Sequence, residues 1–377
     1  MYFMNKTAPH IAILTPFKHH ASGYGGITPW LVNLANGFIK KGARVDILVN
    51  AKQETPLSYP PLDNEIRVIN QGYHKYEAFR ALLKYLNNEQ PTVLLTAGHR
   101  YNAMGAWARN LSKSDSKIFL SMHENISAGS KNMSWLKKRL RFSVIRRLFP
   151  ATNGVISVSQ GVADDLINHG LPLGCSQVIY NPIVNESLIT QSRIAVTHPW
   201  LSEKSMPVLV GVGRLEEQKD YPTLLRALAI VNKNRPCRLI ILGEGRERDR
   251  LDVLANELGI QQQLDMPGHV SNPFSYMRAS DLFVLSSAWE GFGNVIAEAL
   301  AVGTPVVSTD CPSGPSEILN RGQFGPLVSM RSPEALADAI CTTLDSPLPS
   351  ATLEAHGQSF NVQTAVDQYW RYMLGEV

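Results

Sequence analysis

Glu290-Gly-Phe-Gly-Asn-Val-Ile-Ala-Glu298 places two carboxylates eight residues apart across a glycine-bearing turn. The stretch follows Asp281-Leu-Phe-Val-Leu-Ser-Ser287, an apolar run that reads as a buried strand. It leads into Val295-Ile-Ala-Glu-Ala-Leu-Ala301, which reads as a helix. A strand that ends in glycines against a helix N-terminus favours an anion, because the amide groups and the helix dipole point at it while Gly291 and Gly293 allow close approach. On this reading Glu290 sits on the loop rim and Glu298 in the first helical turns. Carboxylates repel phosphate, so their expected work is to accept hydrogen bonds from hydroxyl groups on either side of it. Sugar, diphosphate and ribose in a row would satisfy that pattern.

The same β-then-α pattern recurs along the chain. His10-Ile-Ala-Ile-Leu-Thr15 reads as a first strand and runs into a glycine-rich loop containing Gly23-Tyr-Gly-Gly-Ile27. A helix through Trp30, Leu31, Leu34 and Phe38 follows, and then the strand Val45–Val49. The runs Val93–Thr96, Lys117–Ser121 and Gly154–Val158 alternate with helical patterns, as expected of a mostly parallel sheet covered on both faces. After Tyr180 the chain turns polar and proline-containing up to Pro207, which reads as a linker. A second β-first unit then opens at Val208-Leu-Val-Gly-Val-Gly213, with a further strand at Arg238–Leu242. At 377 residues the chain has room for two such domains, and 44% apolar with 18% charged residues is ordinary for a globular protein.

Charge divides the chain unevenly. Residues 1–190 hold 21 Lys and Arg against 11 Asp and Glu, whereas the rest hold 15 against 21. Seven basic residues lie between Lys131 and Phe149, interleaved with Trp135, Leu136, Leu140, Phe142, Ile145 and Leu148. Trp135, Lys137, Lys138, Arg139 and Arg141 therefore form a candidate contact with an anionic membrane surface, where each basic residue near the headgroups adds about 1 kcal/mol. The alternative is an ordinary solvated helix face. Nucleic acid is not expected as a partner, since no binding motif accompanies the charge. No apolar run is long enough to span a bilayer, and the N-terminus lacks the apolar stretch of a signal peptide. Cys175, Cys237, Cys311 and Cys341 are widely spaced, so neither a zinc site nor a disulfide framework is indicated, and a reducing cytoplasm fits.

Arg214 and Lys219, in Gly211-Val-Gly-Arg-Leu-Glu-Glu-Gln-Lys-Asp220, follow a strand end, which is the ligand edge of an open α/β sheet. A forked guanidinium and an ammonium arriving together suit a diphosphate, although two exposed basic residues beside Glu216, Glu217 and Asp220 would read the same way. The Gly23–Gly26 loop does not fit Gly-x-Gly-x-x-Gly, and no ribose-binding acid follows it, which disfavours a nicotinamide cofactor. Gly243-Glu-Gly245 reads as a turn. His123, in Ser-Met-His-Glu-Asn125, again ends an apolar strand and has both a structural and a functional reading. Glu124 and Asn125 beside it are candidates to orient the ring or contact an acceptor. The Pro- and Gly-dense Asp310–Glu317 reads as a fixed loop. No Asp-x-Asp at a strand end and no His-x-x-x-His occurs, so no metal site is expected.

Taken together, Gly-Gly-Ile in the first loop, Gly-Arg-Leu with Gln-Lys-Asp, Glu290-x7-Glu298 and Ala-x-Gly-Thr-Pro-Val-Val resemble the retaining glycosyltransferases of family 4, of GT-B fold. The resemblance covers nearly the whole chain and is strongest from Val208 to Leu319. It implies two Rossmann-like α/β domains with parallel sheets facing a cleft. Residues 1–185 would bind the acceptor, residues 186–361 the nucleotide-sugar donor, and a helix at about 362–377 would pack back on the first domain. Carried over, Arg214 and Lys219 hold the donor diphosphate, Glu298 the ribose and Glu290 the donor sugar. Backbone amides around Phe292, Gly293, Asn294 and Val295 meet the sugar and phosphates, and His269 and Val270 lie against the base. Gly25 and Gly26 close over the phosphate, and His123 lies near donor sugar and acceptor. The resemblance further implies a metal-independent transfer without a protein nucleophile, from a UDP-sugar to a lipid-linked or saccharide acceptor of the envelope, with no cofactor beyond the donor. The enzyme would sit on the inner face of the cytoplasmic membrane. The rivals are a UDP-sugar 2-epimerase of the same fold and a sugar-nucleotide-binding subunit without turnover.

Overall fold

The computed structural model describes residues 8–16, 26–50, 62–72, 74–131 and 133–375. These fall into two compact units. One takes the chain up to Pro182 together with Val362 onward, and the other takes Ile183–Asn361.

In the first unit seven parallel strands are described: β1 (His10–Leu14), β2 (Arg44–Val49), β3 (Arg67–Asn70), β4 (Val93–Ala97), β5 (Lys117–Met122), β6 (Gly154–Ser157) and β7 (Ser176–Val178). Their order is β3-β2-β1-β4-β5-β6-β7. β1, β4 and β6 are buried along their whole length, as strands flanked on both sides and covered on both faces must be. The direction of winding reverses between β1 and β4, so the ligand crevice of this sheet is expected outside their carboxyl ends.

The helix Val362–Leu374 belongs to this unit although the chain reaches it last. Val366, Tyr369, Trp370 and Met373 recur at helical spacing and enter the same core as Ile11, Ile13, Trp30 and Phe38. The close packing needs a residue without a side chain on the facing helix Ile27–Lys40, because a Cβ at Gly37 would lie 2.3 Å from Cγ2 of Val366. Lys41 ties the helix end by an ion pair of 2.6 Å to Asp367 and lies 5.3 Å from the centre of the Trp370 ring.

β2 carries one buried charge. Asp46 is fully buried and accepts from Nε and Nη2 of Arg67 at 3.0 and 2.6 Å and from the Tyr85 hydroxyl at 2.6 Å, with Nε2 of His10 at 2.8 Å. Burial would raise its pKa, but the hydrogen bonds from His10, Arg67 and Tyr85 outweigh that and hold the carboxyl well below the usual range.

The second unit repeats the plan with six described strands: β8 (Val208–Val212), β9 (Arg238–Leu242), β10 (Leu264–Gly268), β11 (Leu282–Leu285), β12 (Val306–Thr309) and β13 (Leu327–Val328). Their order is β10-β9-β8-β11-β12-β13, and all pairs are parallel. Here the switch point lies between β8 and β11. Both units are therefore Rossmann-like parallel-sheet α/β domains.

The segment after Tyr180, read from sequence as a linker, is ordered. The helix Glu186–Ser192 is capped by Asn185, whose side chain accepts from the Leu188 amide at 2.8 Å, and Pro199–Ser202 forms a further turn. Both are anchored on the second unit, through Asn272 Nδ2 to the Gln191 carbonyl at 2.8 Å and His198 Nε2 to Asp265 at 2.7 Å. Proline and polar residues here are caps and ties, which composition alone does not separate from a linker.

Candidate active site

The switch point of the second sheet gathers Arg214 and Lys219, which follow β8, with Glu290, which follows β11. Lys219 Nζ lies 2.6 Å from Glu290 Oε1. The same oxygen accepts from the Ser287 hydroxyl at 2.7 Å, and Gln218 holds the loop by donating to the Trp289 carbonyl at 2.9 Å. Ser287 is fixed in turn, since Thr309 Oγ1 donates to its carbonyl at 2.7 Å. Glu290 is only 7% exposed, so it is not on the loop rim as the sequence led us to expect. An ion pair this sheltered holds its geometry but leaves Lys219 committed to Glu290 until another anion competes for it.

Two glycines make the arrangement possible. A Cβ at Gly213 would come 2.8 Å from Cε of Lys219, so the lysine stem crosses the end of β8 where only a bare backbone fits. Gly314, at φ +102°, lets the Asp310–Glu317 loop lie directly on the Phe292 carbonyl, 1.7 Å from where a Cβ would be. That loop also accepts from the Glu290 amide through the Pro312 carbonyl at 3.2 Å. The proline-rich loop is thus the support of the Glu290–Gly293 turn.

Gly293, at φ +96°, ends the turn, and the helix Asn294–Ala301 begins directly after it with Val295 in its first turn. Phe292 is buried with its ring 5.8 Å from that of Phe360. Glu298 lies on the helix one turn in, its carboxyl makes no hydrogen bond or ion pair among the described residues, and burial pushes that carboxyl up to about 7, with the charge of Lys219 pulling the other way. Arg214 is exposed, and its guanidinium has no partner among the described residues. The switch point thus holds a free guanidinium, a paired ammonium, and one carboxylate already paired and another unpartnered. His269 and Val270 follow β10 on the same edge, the former exposed and the latter half-buried.

The titration of Glu298 has a measurable consequence. A carboxyl raised in the folded state keeps its proton there after the unfolded chain has lost it, so stability falls as pH rises from about 4.5 toward 7. Glu298→Gln removes that loss. Thermal denaturation at pH 5 and pH 8 should show a smaller drop for the variant than for the wild type, and equal drops would place the Glu298 proton elsewhere.

In the first unit His123 follows β5. Its Nε2 lies 2.9 Å from the Ser121 hydroxyl, the Trp30 ring packs edge-on at 4.6 Å, and burial pushes the imidazole down to about 3, so it is neutral at physiological pH. Asn102 fixes the strand end by donating to the Ser121 carbonyl at 2.8 Å. Glu124 is ion-paired to Arg141, and Arg141 Nη1 also donates to Ser130 at 2.9 Å. Arg141, 5% exposed, is therefore removed from the surface set in which the sequence placed it: it faces inward beside Ile145. The Asn125 side-chain Oδ1 caps the short helix Ile126–Gly129 by accepting from the Ala128 amide at 2.9 Å. Gly26 precedes the helix Ile27–Lys40, whereas Gly25 lies outside the described residues.

The helix Trp135–Leu148 leaves Trp135 (70% exposed), Leu136 and Leu140 open to solvent beside Lys137 and Arg139, while Lys138 turns back to the Lys131 carbonyl at 3.1 Å. No described helix is long and apolar enough to cross a membrane. Among the described residues no group of three His, Cys, Asp or Glu is placed to hold a metal ion.

Sequence reasoning missed Ser287 and Gln218. Both were visible, in the Ser286-Ser287 end of the apolar run and in Glu-Gln-Lys-Asp, but the Ser287 contact depends on how a three-residue turn folds and the Gln218 contact reaches across 71 residues of chain.

Comparison with known proteins bears on the family and the fold. The family described as Glycosyltransferase Family 4 matches residues 24–186, and the family described as Glycosyl transferases group 1 matches residues 197–359. Among curated relatives, the chain is 31% identical over 237 residues to the N-acetylgalactosamine-N,N'-diacetylbacillosaminyl-diphospho-undecaprenol 4-alpha-N-acetylgalactosaminyltransferase of Campylobacter jejuni. That alignment spans 62% of this chain and 63% of the relative. It is 28% identical over 189 residues to the lipopolysaccharide 1,6-galactosyltransferase of Salmonella typhimurium, spanning 49% of this chain and 50% of the relative. The matches thus cover less than two thirds of either relative. The fold is shared with sucrose-phosphate synthase of Thermosynechococcus elongatus, at a TM-score of 0.80 and 20% identity over 97% of this chain and 99% of that one. It is shared too with Anabaena Alr3699/HepE in complex with UDP-glucose, at a TM-score of 0.75 and 20% identity over 97% of this chain and 100% of that one. With one family match on each unit and the paired sheets of that fold, the chain belongs to the glycosyltransferases of GT-B fold, a Family 4 domain followed by a group 1 domain.

Proposed function

We propose that the protein is a retaining, metal-independent hexosyl- or N-acetylhexosaminyltransferase that moves a sugar from a UDP-sugar to a lipid-linked or saccharide acceptor in envelope glycan or lipopolysaccharide synthesis. The observation that carries this reading is the β8/β11 switch point, where the Arg214 guanidinium, unpartnered among the described residues, and the Lys219–Glu290 pair follow neighbouring strands. The names of the Campylobacter and Salmonella relatives support the acceptor class, and the UDP-glucose complex of the Anabaena protein supports the donor class.

In this reading Arg214 and Lys219 receive the diphosphate and Glu298 the ribose. Glu290 accepts from a sugar hydroxyl as Lys219 turns toward phosphate, and the amides from Phe292 to Val295 line the donor. His269 and Val270 meet the base, and Gly25 and Gly26 approach the phosphate. The bond between the anomeric carbon and the diphosphate oxygen breaks, and the acceptor oxygen bonds to that carbon on the same face. The departing phosphate takes the acceptor proton. The protein supplies position and charge stabilisation, with His123 a neutral hydrogen-bonding group near donor sugar and acceptor, and Glu124 and Asn125 toward the acceptor.

The test is to incubate the purified protein with UDP- and GDP-sugars and a cell lipid extract and to identify products by mass spectrometry. A UDP-sugar consumed only when acceptor is present supports the assignment. Conversion of UDP-N-acetylglucosamine without acceptor identifies a 2-epimerase instead, and binding without turnover identifies a non-catalytic subunit.

The inner face of the cytoplasmic membrane is the proposed location, with Trp135, Leu136 and Leu140 entering the headgroup layer and Lys137, Lys138 and Arg139 facing its charge. The protein should float with phosphatidylglycerol-containing vesicles and be released by salt. The double variant Lys137→Ala/Arg139→Ala should bind roughly 30-fold more weakly, from about 1 kcal/mol per basic residue. Equal flotation on neutral vesicles would contradict the electrostatic account.

A further inference from the structure

Three buried side chains of the first unit lead by hydrogen bonds to the half-buried His123. Trp30 Nε1 lies 3.1 Å from the Tyr369 hydroxyl, that hydroxyl lies 3.4 Å from Ser121 Oγ, and Ser121 Oγ lies 2.9 Å from His123 Nε2. Trp30, Tyr369 and Ser121 are essentially inaccessible to solvent. An indole N–H can only donate, so the Tyr369 oxygen accepts from Trp30. The phenolic proton then has one described acceptor within reach, Ser121 Oγ. With its oxygen accepting from Tyr369, Ser121 directs its own proton to His123 Nε2. Reversing the last two bonds would leave the Tyr369 proton buried without a described acceptor, and reversing only the last would leave the Ser121 proton so, and both are costlier arrangements.

We propose that Tyr369, on the last helix of the chain, is a positioning residue that fixes the tautomer of His123, holding Nε2 as an acceptor and the proton on Nδ1. Nδ1 makes no hydrogen bond to any described residue, so the fixed N–H is presented as a donor to an oxygen of a bound ligand. The low pKa of the buried ring fits a neutral imidazole that gains a donor without gaining a charge. Burial also raises the Tyr369 phenol to about 12, so it remains a proton donor in the relay at any physiological pH. The arrangement also gives a reason for the final helix to return to the first unit: it completes a hydrogen-bond chain begun 339 positions earlier in sequence. The catalytic relevance of this relay rests on the proposed role of His123 in sugar transfer, whereas the tautomer itself does not.

The experiment is ¹⁵N NMR of the intact chain labelled at histidine, with the His123 signals assigned by their loss in His123→Ala. Wild type should show a neutral ring protonated at Nδ1 only. Tyr369→Phe, which keeps the ring and its packing, and Ser121→Ala should each shift the signals toward a mixture of tautomers. On the donor that proves active in the UDP-sugar screen, kcat of Tyr369→Phe should fall roughly 10-fold with little change in KM, the scale expected when a group that orients a functional histidine is lost. A proton on Nε2 in wild type, or unchanged His123 signals in Tyr369→Phe, would overturn the relay. If the tautomer behaves as stated but His123→Ala turns over normally, the relay stands and the assignment of His123 to the transfer site fails.

Discussion

Lys219→Ala should lower turnover by about two to three orders of magnitude, the loss seen when a single preorganised group that stabilises transition-state charge is removed. Lys219 contributes twice. In the proposed transfer it would stabilise negative charge on the departing diphosphate, and it holds the Glu290 carboxylate in place through the 2.6 Å contact. Without the ammonium, Glu290, itself almost closed to water, retains among the described residues only the neutral donors Ser287 and Gln218. Its carboxylate then loses the contact that fixes its position and accepts less well from a sugar hydroxyl. Breaking a buried pair typically costs about 3–5 kcal/mol, and the remaining donors place this case at the lower end of that range. Lys219→Arg keeps the charge but brings a planar fork where Gly213 leaves room only for a slim alkyl stem, so partial recovery is the expected result. Steady-state kinetics beside a melting curve separates the two contributions. A variant within threefold of wild type would remove Lys219 from the chemistry.

The second large effect is on stability and lies in the other unit. Asp46→Ala leaves the Arg67 guanidinium, the Tyr85 hydroxyl and the His10 ring without their common acceptor inside the β2 layer. The expected loss is about 3–5 kcal/mol. Against a total of about 5–15 kcal/mol for a typical domain, that brings the first unit close to unfolding at physiological temperature. The pH dependence has a definite sign. A carboxyl whose pKa is depressed in the folded state contributes stability that is present above its unfolded pKa of about 3.9 and is lost as pH falls toward the folded value. Urea unfolding between pH 5 and pH 2 should therefore show a steep loss in wild type and a shallower one in Asp46→Asn, which carries no titrating group at that position. Parallel slopes would assign the acid sensitivity to other carboxylates.

The interior strands were legible because burial on both faces leaves an unbroken apolar run. His10-Ile-Ala-Ile-Leu and Arg238-Leu-Ile-Ile-Leu are such runs, and both form the strands their sequence announces. The edge strands were not. β3 carries Arg67 and Asn70 and is largely exposed, β10 contains Pro267, and β13 is two residues long, so none offers an apolar run to read. In the site, the glycine turn and the basic pair were legible because their chemistry is local: a strand end, a helix start, two cations five positions apart. The burial of Glu290 was not, since it depends on Lys219, Ser287 and the Gly314 loop closing from three directions. Arg141 misled for the same reason. Its neighbours Lys137 and Arg139 are exposed, and only the helical phase turns it inward to Glu124.

The central claim is that the β8/β11 switch point receives the diphosphate of a nucleotide sugar, and calorimetric titration of UDP and of uridine into the intact chain tests it most directly. UDP should bind one to one. Arg214→Ala should weaken UDP roughly 10-fold or more, as expected for one lost charge-assisted hydrogen bond, and should leave uridine within about twofold. Failure of UDP to bind, or an Arg214→Ala protein that binds UDP as tightly as wild type, would contradict the account.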